Sequence, residues 1–169
     1  MKRFSVCLVI IMVMVTSSLS FTQGINLTGK WKADKEKSDF GMMAQISPDI
    51  TLTIEHKGNI LKINSFLKIE MLDREISTDR EYIIDGKQHT YDGTENKGLK
   101  YTCKFNDKKI VLDSQVELRT IRDGIEEMSV GESNSVYSLS EDGATLTSES
   151  VTSGVLREMT MSLVFNKVK

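Results

Sequence analysis

Two arginines lie where the alternation of the sequence predicts side chains that point into an apolar interior. Arg80 shares one face of a predicted strand with Tyr82, and Arg157 shares one with Met159 and Met161. A guanidinium does not lose its proton, and burying it without a partner is costly, so each arginine needs a partner. Its fork of donors fits a carboxylate in two-point contact. An acidic ligand is therefore one predicted partner, and Arg80 and Arg157 are the residues expected to bind it.

Two other interpretations of these arginines stay open. Each side chain can lie at the mouth of the interior, with its stem on apolar surface and its head in water. Each can also form a structural ion pair with an acid on the same inward face, for which Glu132 is the candidate.

The sequence contains no pattern that predicts catalysis. It has neither a Gly-x-Ser-x-Gly segment nor a glycine-rich phosphate loop. His56 and His89 fall on different predicted strands, so no metal site is expected; His56 is predicted to be a solvated strand end and His89 a structural residue. Cys103 lies on an apolar face and is expected to be buried and inert. Neither an enzyme nor a cofactor is predicted, and Glu132 would be the inward acid if the barrel did catalyse a reaction.

The predicted interior also contains small hydroxyl residues and flexible thioethers. The hydroxyl residues suggest space or water inside, and are Ser65, Ser114, Ser148 and Ser150. The thioethers on or near the inner face, which suit core filling or an adaptable cavity, are Met128, Met159 and Met161. A hollow interior and a filled one both remain open.

Turn signals spaced along the chain, with alternating apolar residues between them, predict strands throughout. The predicted strands cover residues 27–33, 49–56, 60–70, 75–84, 88–92, 99–105, 109–120, 126–139, 144–152 and 155–167. A short helical turn is expected within 35–43. Short connections favour an antiparallel up-and-down meander, and closing it removes its edges. The fold class is therefore all-β, a closed barrel of eight to ten strands, apolar inside and polar outside.

The first 23 residues resemble a secretory signal peptide. A basic start is followed by an apolar run from Phe4 to Val15 and then by small and polar residues. The run is short for a membrane span, so the domain at 24–169 is expected to be exported, to the periplasm or beyond, without a membrane anchor. Loss of Lys2 and Arg3 leaves 20 of the 22 basic residues against 24 acidic ones, a charge of −4 that argues against nucleic acid as a partner.

The segment Leu27–Lys32, with Gly29 and Trp31, resembles the opening strand of lipocalins and of fatty-acid-binding proteins. Residues 34–41 and 137–147 are similar to exported bacterial lipocalin-like proteins of the calycin type, most of them uncharacterised. The resemblance implies that Trp31 packs across a closed base, near an arginine for which Arg157 is the nearest candidate. Arg80-Glu81-Tyr82 looks like the Arg-x-Tyr pair that holds a ligand carboxylate in fatty-acid-binding proteins.

Together these observations predict an exported carrier or sensor that holds a small hydrophobic molecule, including acids, inside its barrel. The alternative is a filled barrel that acts through its outer surface, as an envelope structural protein or protein-interaction module. Accessible volume inside the barrel distinguishes the two.

Overall fold

A computed structural model describes residues 25–93, 96–122, 125–154 and 158–168. Within these ranges the chain forms ten strands and two short 3₁₀ helices. The strands are β1 (Gly29–Ala33), β2 (Asp49–Lys57), β3 (Ile60–Ile69), β4 (Arg74–Ile83), β5 (Gln88–Thr90), β6 (Lys100–Asn106), β7 (Lys109–Arg122), β8 (Ile125–Leu139), β9 (Thr145–Ser153) and β10 (Met159–Lys167). The 3₁₀ helices are Gly41–Gln45 and Glu70–Leu72. The predicted strands are confirmed, whereas the predicted signal peptide lies outside the described residues.

The strands form one sheet in the order β4-β3-β2-β1-β10-β9-β8-β7-β6-β5, and every pairing between them is antiparallel. Each strand therefore lies beside its neighbours in sequence, except at β4 and β5, and β1 also pairs with β10. In that pairing Trp31 is opposite Lys167 and Ala33 is opposite Phe165. The first and last strands thus join the meander into a barrel, which confirms the predicted fold class.

The closure leaves a seam that the sequence did not indicate. β4 and β5 follow one another in the chain, yet they lie at the two ends of the strand order. Single contacts cross near this point: the backbone N–H of Ile83 donates to the Tyr101 hydroxyl at 3.3 Å, and that of Gly86 donates to the Cys103 carbonyl at 2.9 Å. The seam is therefore held at one end by a few hydrogen bonds instead of by a strand ladder.

One end of the barrel is tightly packed, and we call it the base. The hairpins β2–β3, β6–β7 and β8–β9 turn there, beside the segment that leads into β1. Side chains with no exposed surface fill this end, and they include Leu27, Trp31, Leu61, Ile110 and Leu146. We call the opposite end, where β3–β4 and β7–β8 turn, the mouth.

A two-stranded ribbon extends from the barrel at the mouth. β6 pairs with β7 only as far as Ser114, and β9 pairs with β8 only as far as Glu132. The ladder between β7 and β8 continues from Val116–Gly131 to Arg122–Ile125, with residues 123 and 124 outside the described ranges. We call residues 116–131 the ribbon.

Two predictions about β8 are wrong. Gly131 is buried and pairs with Val116, so Met128 and Glu132 fall on the outward side of the strand. Met128, predicted near the inner face, is 54% exposed. Glu132, predicted to be an inward acid, is exposed as well. It therefore cannot be the inward partner of an arginine or an inward catalytic acid.

Among the described residues, none of the helices combines the length and apolar character needed to cross a bilayer.

Candidate functional site

Arg80 and Tyr82 both point into the barrel, as predicted. Arg80 lies opposite Ile63 on β3, and Tyr82 lies opposite Leu61. Directly opposed residues share a face of the sheet, and Leu61 and Ile63 are buried core residues. The Tyr82 side chain is 3% exposed, and the Nε atom of Arg80 is buried while the whole residue stays partly accessible.

The sequence contains four tyrosines, and three of them form a cluster of rings in the interior; the four are Tyr82, Tyr91, Tyr101 and Tyr137. The ring of Tyr82 meets those of Tyr91 and Tyr101 edge-on, with centroids 6.0 and 5.3 Å apart, and Tyr91 and Tyr101 are 4.8 Å apart. Edge-to-face rings at such distances attract one another through their quadrupoles. This cluster fills the interior beside the seam.

The charge of Arg80 reaches phenols on both sides of the interior. It favours the ionised forms of Tyr91 and Tyr137, but burial outweighs it and raises the pKa of both hydroxyls. These phenols therefore stay protonated at neutral pH and can donate hydrogen bonds. A guanidinium together with phenol donors in a sheltered space suits the binding of an anionic oxygen.

Sequence reasoning assigned Tyr82 to this site but missed Tyr91, Tyr101 and Tyr137. Tyr101 and Tyr137 lie on β6 and β8, and Tyr91 follows β5. Alternation places Tyr101 on the apolar face of its strand, so its inward orientation could be predicted from the sequence. The proximity of Tyr137 to Arg80 depends on how far the barrel curves between β4 and β8.

Hydroxyl residues line the middle of the interior. The predicted inward positions of Ser65, Ser114, Ser148 and Ser150 are confirmed by the register: Ser65 is opposite Thr78, with their hydroxyl oxygens 2.6 Å apart, and Ser148 is opposite Leu163. All four serines stay partly accessible, whereas the apolar residues of the base are buried. Solvent therefore reaches this part of the inward face.

The Gly-x-Trp segment lies at the base, as the resemblance implies. Trp31 is fully buried and donates from Nε1 to the Leu27 carbonyl at 3.0 Å. A Cβ atom on Gly29 would lie 2.9 Å from the Lys167 side chain and 3.3 Å from Trp31 Nε1, so a side chain there would require Lys167 to shift. The cation over the indole is Lys167, whose Nζ is 5.2 Å from the ring centroid. Arg157, expected near this tryptophan and at the ligand site, lies outside the described residues.

The predicted solvation of His56 is wrong. The side chain is 8% exposed, and its Nδ1 accepts a hydrogen bond from the Leu27 backbone N–H at 3.4 Å. Burial lowers the pKa of this imidazole, which keeps Nδ1 available as an acceptor. The segment before β1 covers His56, and that long-range contact could not be seen in the local pattern.

The structural role predicted for His89 and the burial predicted for Cys103 are confirmed. His89 Nε2 lies 2.9 Å from an Asp85 carboxylate oxygen, and the imidazole stacks on Tyr101 with centroids 5.4 Å apart. Cys103 has no exposed surface, and burial raises the pKa of its thiol to about 12. In the described ranges no three acidic, histidine or cysteine side chains are grouped closely enough to hold a metal ion.

A concavity of about 420 Å³ lies along the wall formed by β5 to β9, and its lining includes the inward residues Tyr101, Ser114 and Ser133. Outward rows of polar side chains line it, and they include Lys100, Thr102, Asp113, Gln115, Glu132 and Asn134. Asn134 donates to Asp113 at 2.6 Å, and the Lys100 backbone N–H donates to Gln115 at 3.0 Å. Two contacts on this surface thus join neighbouring strands.

No family model and no curated protein matches this chain. Among solved structures, the chain is similar to the zebrafish ileal bile acid-binding protein in its complex with cholic acid. The TM-score is 0.49 and the sequence identity is 13%, over 83% of this chain and 98% of that chain. The barrel architecture of this chain is established by its own strand pairing.

Proposed function

We propose that this protein is an exported binding protein that holds a small hydrophobic molecule with an acidic group inside its barrel. The observation that carries the proposal is the position of Arg80, whose charge faces a sheltered and partly accessible interior among tyrosine rings. Burial of the apolar part of the ligand would supply most of the affinity, and the guanidinium would orient its acid group.

Three features of the interior support this assignment. The base is tightly packed with buried side chains, so we expect a ligand to enter from the mouth or the seam. Tyr82 lies two residues from Arg80 on the same inward face, which allows both side chains to meet one acid group. The Tyr91 hydroxyl is also buried and turned toward this region, with Tyr82 and Ser114 as its polar neighbours.

The first experiment is native mass spectrometry of the purified protein, followed by solvent extraction of whatever copurifies. A bound lipid or small apolar acid supports the carrier function. A clean apo mass, with no uptake of a fluorescent fatty-acid probe, contradicts it and favours the barrel that acts through its outer surface. That alternative draws support from the ribbon, where Ile125, Met128 and Val130 are 66%, 54% and 55% exposed.

A matched pair of variants tests the role of Arg80. Arg80→Gln should weaken binding of the fluorescent fatty acid at least about tenfold, because a charge-assisted hydrogen bond contributes roughly 1.5–3 kcal/mol. The same variant should bind the corresponding fatty alcohol as the wild type does. Arg119→Gln, on the outer face of the ribbon with a side chain 66% exposed, is the control and should change neither affinity. Equal loss for acid and alcohol would assign Arg80 a structural role.

Export is the second part of the proposal and rests on residues 1–23. Expression of the full chain in a bacterial host, followed by mass measurement of the mature product, tests it. A mass that begins after residue 20 or 23 supports export, and an intact N-terminus contradicts it.

A further inference from the structure

The inward face of the barrel has two chemically different walls. The wall of β7 to β9 contributes hydroxyl side chains, namely Ser114, Ser133, Ser135, Ser148, Ser150 and Thr152. The adjoining strand β10 contributes Met159, Met161 and Leu163. The two walls meet where β9 pairs with β10. Ser150, for example, lies between Ser135 on β8 and Met161 on β10.

The hydroxyl wall faces a space that solvent reaches. Each of its side chains points inward, and each keeps partial exposure, in contrast to the buried apolar residues of the base. Ser133 and Thr152 lie on neighbouring strands with their hydroxyl oxygens 3.1 Å apart. A hydroxyl has one donor and two acceptor sites, so this contact leaves capacity for a further partner on each residue.

We infer that the barrel selects acids whose apolar body carries oxygen atoms along one side, such as hydroxylated acyl chains, over plain chains of the same length. This inference rests on the proposed function, since it takes the acid group to be held at Arg80. From there the body of the ligand extends towards the mouth. One side then lies on the serines of β8 and β9, and the other lies on the methionines of β10.

We expect this selectivity because a bound ligand displaces water that is hydrogen-bonded to the hydroxyl wall. A plain hydrocarbon chain displaces that water and gives the serines no hydrogen bonds in return, which costs affinity. A ligand hydroxyl at the same place restores the lost bonds. The thioethers of Met159 and Met161 are flexible and adapt to the apolar side of either ligand, so they do not discriminate.

Isothermal titration of the purified protein with two acids tests the inference. The probes are stearic acid and 9,10-dihydroxystearic acid, which have the same length and acid group. The dihydroxy acid should bind about tenfold more tightly, because its two hydroxyls can form hydrogen bonds with the wall that the plain chain cannot form.

Substitutions in the hydroxyl wall test whether the preference for the dihydroxy acid arises there. The double substitution Ser135→Ala and Ser150→Ala should lower it below threefold, and Thr152→Val, which keeps the shape of the side chain, should lower it in part. Thr147→Val is the matched control, because Thr147 lies on the same strand with its side chain directed outward. Thermal melts establish that each variant is folded, and Thr152→Val still tests the inference if the double variant is not.

The outcomes separate this inference from the function on which it rests. If both acids bind equally, or if the serine and threonine variants keep the full preference, the selectivity is wrong and the carrier function stands. If neither acid binds, the proposed function fails and the selectivity fails with it. A preference that disappears in the inward variants and persists in Thr147→Val confirms the inference.

Discussion

The hydroxyl of Tyr101 on β6 accepts a hydrogen bond from the backbone N–H of Ile83 on β4 at 3.3 Å. This bond crosses the seam between the two edges of the sheet. The same ring packs against Tyr82 and Tyr91, with centroids 5.3 and 4.8 Å away. One tyrosine thus connects the closure of the barrel to the candidate binding site.

This double role predicts different effects for two Tyr→Phe variants. Tyr101→Phe loses the seam bond and should lower the free energy of unfolding by about 0.5–1.5 kcal/mol. Tyr82→Phe keeps its ring packing but loses a hydroxyl beside Arg80, so it should weaken binding of a fatty acid several-fold at nearly unchanged stability. Urea unfolding and fatty-acid titration of both variants measure this. The reverse pattern would place the ligand contact at Tyr101.

Because His56 is buried, we predict that the folded protein loses stability in acid. Burial lowers its pKa in the folded protein, so the folded state binds a proton less readily than the unfolded chain does. The stabilisation is complete above the unfolded pKa of about 6.5 and declines as the pH falls below it towards the folded pKa. Thermal unfolding between pH 7.5 and pH 5 should show this decline in the wild type and a smaller one in His56→Leu. If the stabilities of the wild type and of His56→Leu declined equally with pH, another group would be responsible for the decline.

Cys103 should be inert to thiol reagents in the folded protein. Its side chain has no exposed surface, and its raised pKa leaves little thiolate at pH 8. Ellman's reagent should therefore react over hours in native buffer and within minutes in guanidinium chloride. Rapid native labelling would contradict the burial. Cys103→Ser should lower the free energy of unfolding by about 1–3 kcal/mol, because it places a hydroxyl in an apolar site.

Gly131 lies where the ribbon leaves the barrel, and we predict that this position does not tolerate a larger side chain. A Cβ atom there would overlap the Leu118 side chain and the Ser153 carbonyl oxygen. Gly131→Ala should therefore lower the free energy of unfolding by about 1–3 kcal/mol. Gly93→Ala is the matched control, since a Cβ at Gly93 meets nothing within 4 Å. Similar stabilities of the two variants would show that the ribbon moves aside at no cost.

Trp31 should act as a reporter of the base. It is the single tryptophan of the chain and is fully buried, so its emission should be blue-shifted in the folded state and shift to the red on unfolding. Trp31→Ala should lower the free energy of unfolding by about 3–5 kcal/mol. Lys167→Gln removes only the cation over the ring and should cost less than about 1 kcal/mol. If Lys167→Gln lowered the free energy of unfolding by more than this, Lys167 would contribute more to the stability of the base than we expect.

The strands themselves could be predicted because a period of two is a local property. On β2 and β6 the apolar residues keep to one face, so the inward positions of Ile54 and Cys103 follow from counting along the chain. The same counting on β4 placed Arg80 and Tyr82 inward. Turn residues marked the ends of these strands.

β8 shows where such counting fails. Its outward face carries Met128 and Val130, and its inward face carries mostly small residues, so the apolar pattern does not identify the buried side. A shift of one residue then assigns every side chain to the wrong face, as happened to Glu132 and Met128. Only the pairing of β8 with β7 and β9 decides the register.

The amino-acid sequence alone determined the strands, their order as a meander and the inward arginine, because each follows from neighbours a few residues away. The position of Trp31 at the base followed from the resemblance of its segment to lipocalins. The tertiary structure decided which strands meet across the barrel. It joined β1 to β10, left the seam beside β4, covered His56 and brought Tyr137 into the field of Arg80. These relationships depend on the curvature of the closed sheet, which sums small twists over all ten strands and is encoded at no single position.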